Sequence, residues 1–283
     1  MQATEIYERN NHGIGFAASA VFRRKGHLIQ WSPDNTDTVL DFGCGTGNVL
    51  VDVILPAFEG KYSQCYGVDI SKAMIRFASE KYAARRDLQF TTMDIYSEVP
   101  EFLRHVSPVA HIVSTFALHW LTDLEAGLWG LFDLLKPGGD FLTVHVCSSF
   151  LFDLYDTVGQ HPRWGRYFDG IEAAVMASHR SPHPERELQD QMVGAGFSEV
   201  QVEIMPLKWR FSHLDSLRRL LNSVLVQIEN VPDEEVDEFL DYVVSFGIER
   251  KGLIPLPNGE FLHTLQLFVA FGRKKGDRIK SVG

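Results

Sequence analysis

Cysteine is scarce in this chain. Three residues of 283, Cys44, Cys65 and Cys147, are too few for a disulfide framework, and small buried thiols are the plain reading. No run of 18 or more apolar residues occurs, which excludes an apolar membrane-spanning helix. The first residues carry no apolar h-region, so the expectation is a soluble, cytoplasmic chain. Basic residues are outnumbered, 27 Lys and Arg against 37 Asp and Glu, for a formal net charge of −10. Such a field repels phosphate backbones and argues against nucleic acid as a partner. His161, His179 and His183 have no Cys or carboxylate at ligand spacing, so no metal is expected.

The hydrophobic content of 45% is enough for a full core. The length suits one large domain, or one domain with a lid. Short apolar runs alternate with helical patterns. Strands are expected near 38–42, 63–68, 88–93, 109–114 and 141–147, with helices over about 46–55 (stopped by Pro56), from Ser71 as N-cap, and over about 123–135. A helix around Ala17 to Trp31 precedes them. This alternation argues a parallel sheet with helices on both faces. Beyond Cys147 the pattern breaks. Residues 148–183 read as an irregular, aromatic lid, since long loops inside such domains are usually functional. A helix over Glu185–Val193, a strand over Val200–Trp209, helices over 213–228 and 233–249 and a strand over Phe261–Phe271 follow. Arg273 to Gly283 reads as a loose basic tail.

The most informative segment is Val39-Leu40-Asp41-Phe42-Gly43-Cys44-Gly45-Thr46-Gly47. An apolar run ends in an acid, then in glycine at every second position, then in a helix. That order brings backbone close to a nucleotide. The dinucleotide fingerprint G-x-G-x-x-G would need glycine at position 48, where Asn48 stands. Tyr66 to Ser71 ends a second strand in Asp69, 22 residues after Gly47, where a doubly wound sheet places a ribose-binding acid. Phe90 to Ile95 ends a third strand in Asp94, which could equally cap the next turn. Leu135-Lys136-Pro137-Gly138-Gly139-Asp140 is a turn into the fifth strand.

These four segments, in this order, resemble the class I S-adenosylmethionine-dependent methyltransferases. The resemblance implies a Rossmann-like α/β fold with a seven-stranded, mostly parallel sheet, helices on both faces and a helical, aromatic lid. It implies S-adenosyl-L-methionine as cofactor, with Asp41, Gly43, Cys44, Gly45 and Gly47 at its amino-acid end, Asp69, Ile70 and Met74 at its ribose side, and Asp94 and Ile95 at its adenine. Ser114 and Phe116, after the fourth strand, complete that set. As a single methyltransferase domain the chain divides into a helical cap (1–35), a cofactor core (36–147), a lid (148–183), the rest of the sheet (184–275) with a helical insertion at 210–258, and a tail (276–283).

Within that family the chain resembles the arthropod juvenile hormone acid O-methyltransferases. The likeness rests on Ile6-Tyr7, Leu118-His119-Trp120, Leu134 to Asp140, Phe152-Asp153-Leu154-Tyr155 and Trp164 to Tyr167. It implies carboxyl O-methylation of an apolar acid, with Trp120 and His119 at the reacting centre and Tyr7, Asn11, His12, Tyr155 and Trp164 around the substrate. The family's N-terminal glutamine is absent, and Asn11 or His12 takes its place. Trp120 either faces the substrate or packs under the next helix. His119 is either a general base or a shape-determining neighbour. The expected partner is a small apolar carboxylic acid, with no nucleic acid and no membrane, and a homodimer is left open. A small polar acid, as in the trans-aconitate methyltransferases, would need cationic side chains, of which Arg163 and Arg166 are the candidates. A non-catalytic, cofactor-binding interaction protein is the alternative from another class.

Overall fold

The computed structural model describes residues 12–275. Tyr7, Asn11 and the 276–283 tail lie outside the described residues. The first helix, α1 (His12–Lys25), buries Ile14, Ala17, Ala18, Val21 and Phe22. This i, i+3, i+4 stripe begins earlier than the expected Ala17–Trp31 helix. Arg23, Arg24 and Lys25 in its last turn suit the negative end of the helix dipole.

The Rossmann-like half follows in strict alternation. β1 (Asp37–Phe42) leads through the glycine loop into α2 (48–57), which widens into a π turn over Leu50–Ile54. Pro56 lies inside the last turn of this helix, which ends one residue later at Ala57. β2 (Tyr62–Asp69) is followed by α3 (Lys72–Lys81), capped by the Ser71 hydroxyl, which accepts from the Met74 N–H. β3 (Leu88–Thr92), α4 (Glu101–Val106), β4 (Val109–Thr115) and α5 (Leu124–Leu134, capped by Asp123) complete the alternation. β5 (Leu135–Ser148) includes the Lys-Pro-Gly-Gly turn, where Gly138 is left-handed at φ 84.

The segment after β5 corrects the expected irregular lid. It holds α6 (Phe150–Val158), two 3-10 turns and α7 (Ala177–Arg180). Phe150, Phe152, Tyr155, Trp164 and Phe168 are buried in the larger hydrophobic core. Aromatic side chains carry about 150–250 Å² each, and burying five of them anchors this segment in the core as ordered helices and turns. α8 (Pro184–Gly194) and β6 (Ser198–Phe211) follow. An insertion then carries α9 (Leu214–Val224), α10 (Asp233–Glu249) and the short β7 (Leu253–Pro255) before β8 (Phe261–Arg273).

The sheet order is β3-β2-β1-β4-β5-β8-β6, with β7 beside β8. β1 to β5 pair in parallel, and β8 runs antiparallel to β5, β6 and β7. The seven-stranded mixed sheet is therefore as expected, with β7 as an eighth strand. One hydrophobic cluster packs on each face. Among the described residues no helix is long and apolar enough to cross a membrane.

Arg273 corrects the loose-tail expectation. It is buried at the end of β8, where it donates to Asp140 (2.7 Å), Glu199 (2.6 Å) and the Leu28 carbonyl (2.8 Å). Beside it, at the start of β1, Asp37 accepts from Lys136 (2.6 Å), from the Ser32 N–H and hydroxyl, and lies 3.2 Å from His111. This network ties the sheet together at the end opposite the glycine loop. Burial pushes the Asp37 carboxyl up, but the bonds from Lys136 and Ser32 outweigh it and hold it well below the usual carboxylate range. A lowered folded-state pKa contributes stability above the unfolded value of about 3.9, lost as pH falls below it. Asp37→Asn should therefore cost about 1 kcal/mol at pH 7. The gap to wild type in urea melts should shrink as pH drops through about 4. A gap that widens there would refute the assignment.

Candidate active site

The carboxyl ends of β1, β2 and β4 converge on one edge of the sheet, where parallel α/β sheets bind ligands. The glycine loop is fixed from beneath. The Gly43 and Cys44 N–H groups both donate to the Val68 carbonyl, at 2.8 and 2.9 Å. Gly43, Gly45 and Gly47 are all left-handed, at φ 74, 54 and 76. The Phe90 ring lies against two glycines: a Cβ added at Gly47 would come within 2.8 Å of it, and one at Gly67 within 2.5 Å. Phe90 was not singled out from the sequence. Its role depends on contact across strands, which no local pattern carries.

Two carboxylates face this loop. Asp69 accepts from the Gly45 N–H (2.9 Å) and the Ser71 N–H (2.8 Å), one on each oxygen. Asp41 is 1% exposed, and neither of its oxygens has a hydrogen-bond partner among the described residues. Burial, and secondarily the Asp69 charge, pushes its carboxyl up to about 8. A buried acid without a donor is costly, and its place beside a glycine loop fits a ligand that brings a cationic donor. Burial likewise raises Cys44 well above the usual thiol range, so it is an inert thiol of the loop.

The remaining positions divide. Ile70 is 69% exposed beside Asp69, an apolar face open to a ligand. Met74 is half-buried in the first turn of α3. Asp94 accepts from the Tyr96 N–H (3.0 Å) and the Ser97 hydroxyl (3.2 Å), so it does cap its turn. Ile95 packs against Gly130. The buried Ser114 hydroxyl donates to the Phe42 carbonyl at 2.8 Å. It bonds β4 to β1 and does not face a ligand, which corrects its expected role.

Phe116 leaves β4 at φ 54, a conformation strained for an aromatic residue by about 1–3 kcal/mol. Its N–H donates to the Val144 carbonyl at 2.7 Å. The kink throws the 3-10 turn Leu118–Trp120 across the sheet edge. Leu118 anchors the turn in the core, while Trp120 is 51% exposed. Trp120 is thus not packed under the next helix. Burial holds His119 at about 3, and its Nδ1 has no partner among the described residues.

Trp120 and His119 border two spaces. One is an apolar cavity of about 100 Å³. Phe116, Val146, Leu151, Phe152, Tyr155 and Trp209 are among its walls, and Ile14, Leu220, Val224, Leu265 and His263 also reach it. Phe116 therefore belongs to this cavity rather than to the glycine loop. The other is a groove of about 670 Å³ with Asp123, Glu125 and Glu187 along it. Neither space has a Lys or Arg in its lining among the described residues.

Tyr155 is a wall residue, with its hydroxyl accepting from the Val226 N–H at 3.2 Å. Trp164 is not. It is buried against Phe239 at a ring distance of 5.2 Å, under the Arg163 guanidinium, which corrects its expected place at the substrate. Arg163 and Arg166 are spent on Glu235 and Glu238 of α10 and line neither space. His12 opens α1. The sequence reading missed Trp209, Leu220 and His263. They come from β6, α9 and β8, far along the chain; the β6–β8 pairing sets Trp209 opposite His263.

The comparisons with known proteins agree with this geometry. The family model described as a methyltransferase domain matches residues 40–141, from β1 into β5. Residues 40–141 form a methyltransferase domain. It is 28% identical over 291 aligned positions to a juvenile hormone acid O-methyltransferase of Drosophila melanogaster, covering 100% of this chain and 95% of that one. The enzyme of the same name from Bombyx mori is 26% identical, over 86% of this chain and 85% of its own. Among solved structures, a putative methyltransferase of Bacillus halodurans superposes with a TM-score of 0.56 at 13% identity, covering 90% of this chain and 98% of that one. The YcgJ protein of Bacillus subtilis gives 0.53 at 16% identity, covering 94% and 100%. At these identities the structures support the fold alone.

Proposed function

We propose that this methyltransferase moves the methyl group of S-adenosylmethionine onto the carboxylate of a small apolar acid, of the juvenile-hormone-acid or farnesoic-acid kind. The observation that carries the reading is the apolar cavity beside Trp120, with no cationic side chain in its lining. The names of the two insect relatives support it. A polyacid would bury several charges against apolar walls and acidic neighbours, at a cost of several kcal/mol per unpaired ion. Arg163 and Arg166, the side chains that could have offset this, are engaged elsewhere.

S-adenosylmethionine supplies a methyl carbon already made electrophilic by its sulfonium. The chain's own residues bind and orient. Asp41, whose buried carboxyl has no partner among the described residues, would ionise against the cationic amino group, whose charge offsets the burial that raises it. The glycine loop lets backbone approach the amino-acid end. Each Asp69 oxygen takes one backbone N–H and keeps acceptor capacity for a ribose hydroxyl. Ile70, exposed beside Asp69, would pack against the ribose side of the cofactor, and Asp94 would accept from the adenine amino group while capping its own turn. On the acceptor side, the Trp120 Nε1–H fixes one carboxylate oxygen, and the aromatic walls take the tail at about 0.8 kcal/mol per buried CH₂. A carboxylate is ionised at neutral pH, so catalysis is positioning and exclusion of water. His119 is a neutral wall in this arrangement.

Radiolabelled methyl transfer to a panel of terpenoid acids, fatty acids and trans-aconitate tests the reading. Apolar acids should be labelled and trans-aconitate should not. Labelling of trans-aconitate alone would overturn the substrate class. Cofactor binding with no acid labelled would leave a cofactor-binding protein. Asp69→Ala should weaken S-adenosylmethionine binding by about tenfold, the low end for a charged hydrogen bond because the carboxylate already shares its oxygens with two backbone N–H groups. Unchanged affinity in titration calorimetry on the folded variant would remove Asp69 from the site.

A further inference from the structure

The backbone of α1 lies directly against the indole of Trp209 at Gly13. A Cβ added to Gly13 would come within 2.1 Å of Trp209 Cε2 and 2.2 Å of Cδ2, the two atoms that the indole rings share. No side chain fits between helix and ring unless one of them moves. Glycine inside a helix costs backbone entropy, and here its lack of a Cβ is what lets the two meet. Gly15, on the same helix, is under no such constraint: its added Cβ meets only Val53, at 3.9 Å.

Trp209 is also a wall of the apolar cavity, whose volume is about 100 Å³. A protein cavity of about 150 Å³ is what holds benzene, so this one takes a tail of only a few carbons as it stands. A longer tail has to displace a wall. Val146 and Leu265 are buried on the paired strands β5 and β8 and have little room to yield. Trp209 is only half-buried, on β6, the outer strand of the sheet, and is the largest wall side chain away from the reacting turn. Its neighbours outside the cavity include the α1 backbone at Gly13 and Phe211, with ring centroids 5.1 Å apart.

We propose that Trp209, seated on Gly13, is the length stop of the acceptor site. A tail that ends short of the indole binds without rearrangement, and a longer one must lift the ring off α1. The inference rests on the apolar-acid reading for the placement of a tail in this cavity. It goes beyond that reading by naming the two residues that set how long the tail can be. Gly13 acts through Trp209: a side chain at position 13 would drive the indole off the helix and toward the tail.

The test is a binding series that does not depend on turnover. Straight-chain saturated acids of increasing length are titrated into the full chain with S-adenosylhomocysteine present. Affinity should climb by up to about fourfold per added CH₂. The climb is shallower where the tail passes the polar walls His119, Ser149 and His263, and it should break at one chain length. Trp209→Ala should move the break to longer acids and bind the first acid beyond the wild-type break about tenfold more tightly than wild type does. Trp209→Phe should move it the same way by less. Gly13→Ala should move the break to shorter acids, while Gly15→Ala should leave the series as in wild type. Urea melts show which variants are folded, and if Gly13→Ala is not, the two Trp209 variants decide. A series with no break in wild type, or a break at the same length in Trp209→Ala, would overturn the proposal. Methyl transfer measured on the same acids separates the two claims. A break that moves with Trp209 while no acid is methylated refutes the carboxyl methyltransferase reading and leaves the length stop standing.

Discussion

Gly43→Ala is expected to abolish measurable cofactor binding and to lower folding stability by about 2–5 kcal/mol, from about 1–2 for left-handed backbone and about 1–3 for overpacking. Gly43 sits at φ 74, and its added methyl would overlap the Cβ of Ala117. Neither side can yield easily. The Gly43 and Cys44 N–H groups are held by the Val68 carbonyl, and Ala117 begins the turn that carries Trp120. Relief of the clash therefore moves the glycine loop, the acceptor turn, or both. Gly60 provides the control. It has the same φ of 74, but an added Cβ there meets nothing within 4 Å. Gly60→Ala should show backbone strain alone, about 1 kcal/mol, with cofactor affinity intact. Urea melts and titration calorimetry on the pair decide the matter. If Gly43→Ala is as mild as Gly60→Ala, the loop is not held against the acceptor turn as described.

The cofactor half of the molecule was legible in the sequence because its signals are local. Val39 to Gly47 encodes strand, left-handed turns and helix within one short stretch, and Ser71 caps its helix through a bond to Met74 three residues on. Asp69 stands at the end of its strand, where period and composition place it. The acceptor half was less legible. The segment 148–183 contains Gly, Pro and His at spacings that read as loop, yet its aromatics are drawn into the core by partners on α10, such as Phe239 against Trp164 and Phe168. Trp164 looked like a substrate residue for the same reason: an aromatic in a suspected lid has no visible partner until the fold supplies one. Arg273 looked like tail because its partners, Asp140, Glu199 and the Leu28 carbonyl, lie 74 or more residues away. His263 gave no signal at all. A histidine inside a strand pattern is ordinary, and only the missing hydrogen bonds make it notable.

Trp120→Phe should lower kcat/KM by about ten- to a hundredfold, while His119→Gln should cost much less. The two residues adjoin, with rings 4.9 Å apart, but their surroundings assign them different chemistry. Trp120 is half-exposed at the junction of groove and cavity, and phenylalanine keeps most of its packing while removing the indole N–H. His119 is half-buried, with its ring turned inward, and desolvation holds its imidazole at about 3. A base with so low a pKa is a weak proton acceptor at neutral pH, so a hydroxyl, phenol or amine acceptor would gain little from it. A carboxylate has no proton to lose above about pH 5 and needs no such partner. The pH profile of kcat/KM should therefore lack an ascending limb between about 6 and 7, the range where an ordinary histidine would titrate. His119 should also stay neutral by NMR titration down to acid pH. The opposite pattern is equally readable: an indispensable His119, a dispensable Trp120 and a limb near the ordinary histidine pKa. That result would mean an acceptor that must be deprotonated, and the carboxylate reading would fall while the methyltransferase fold stood.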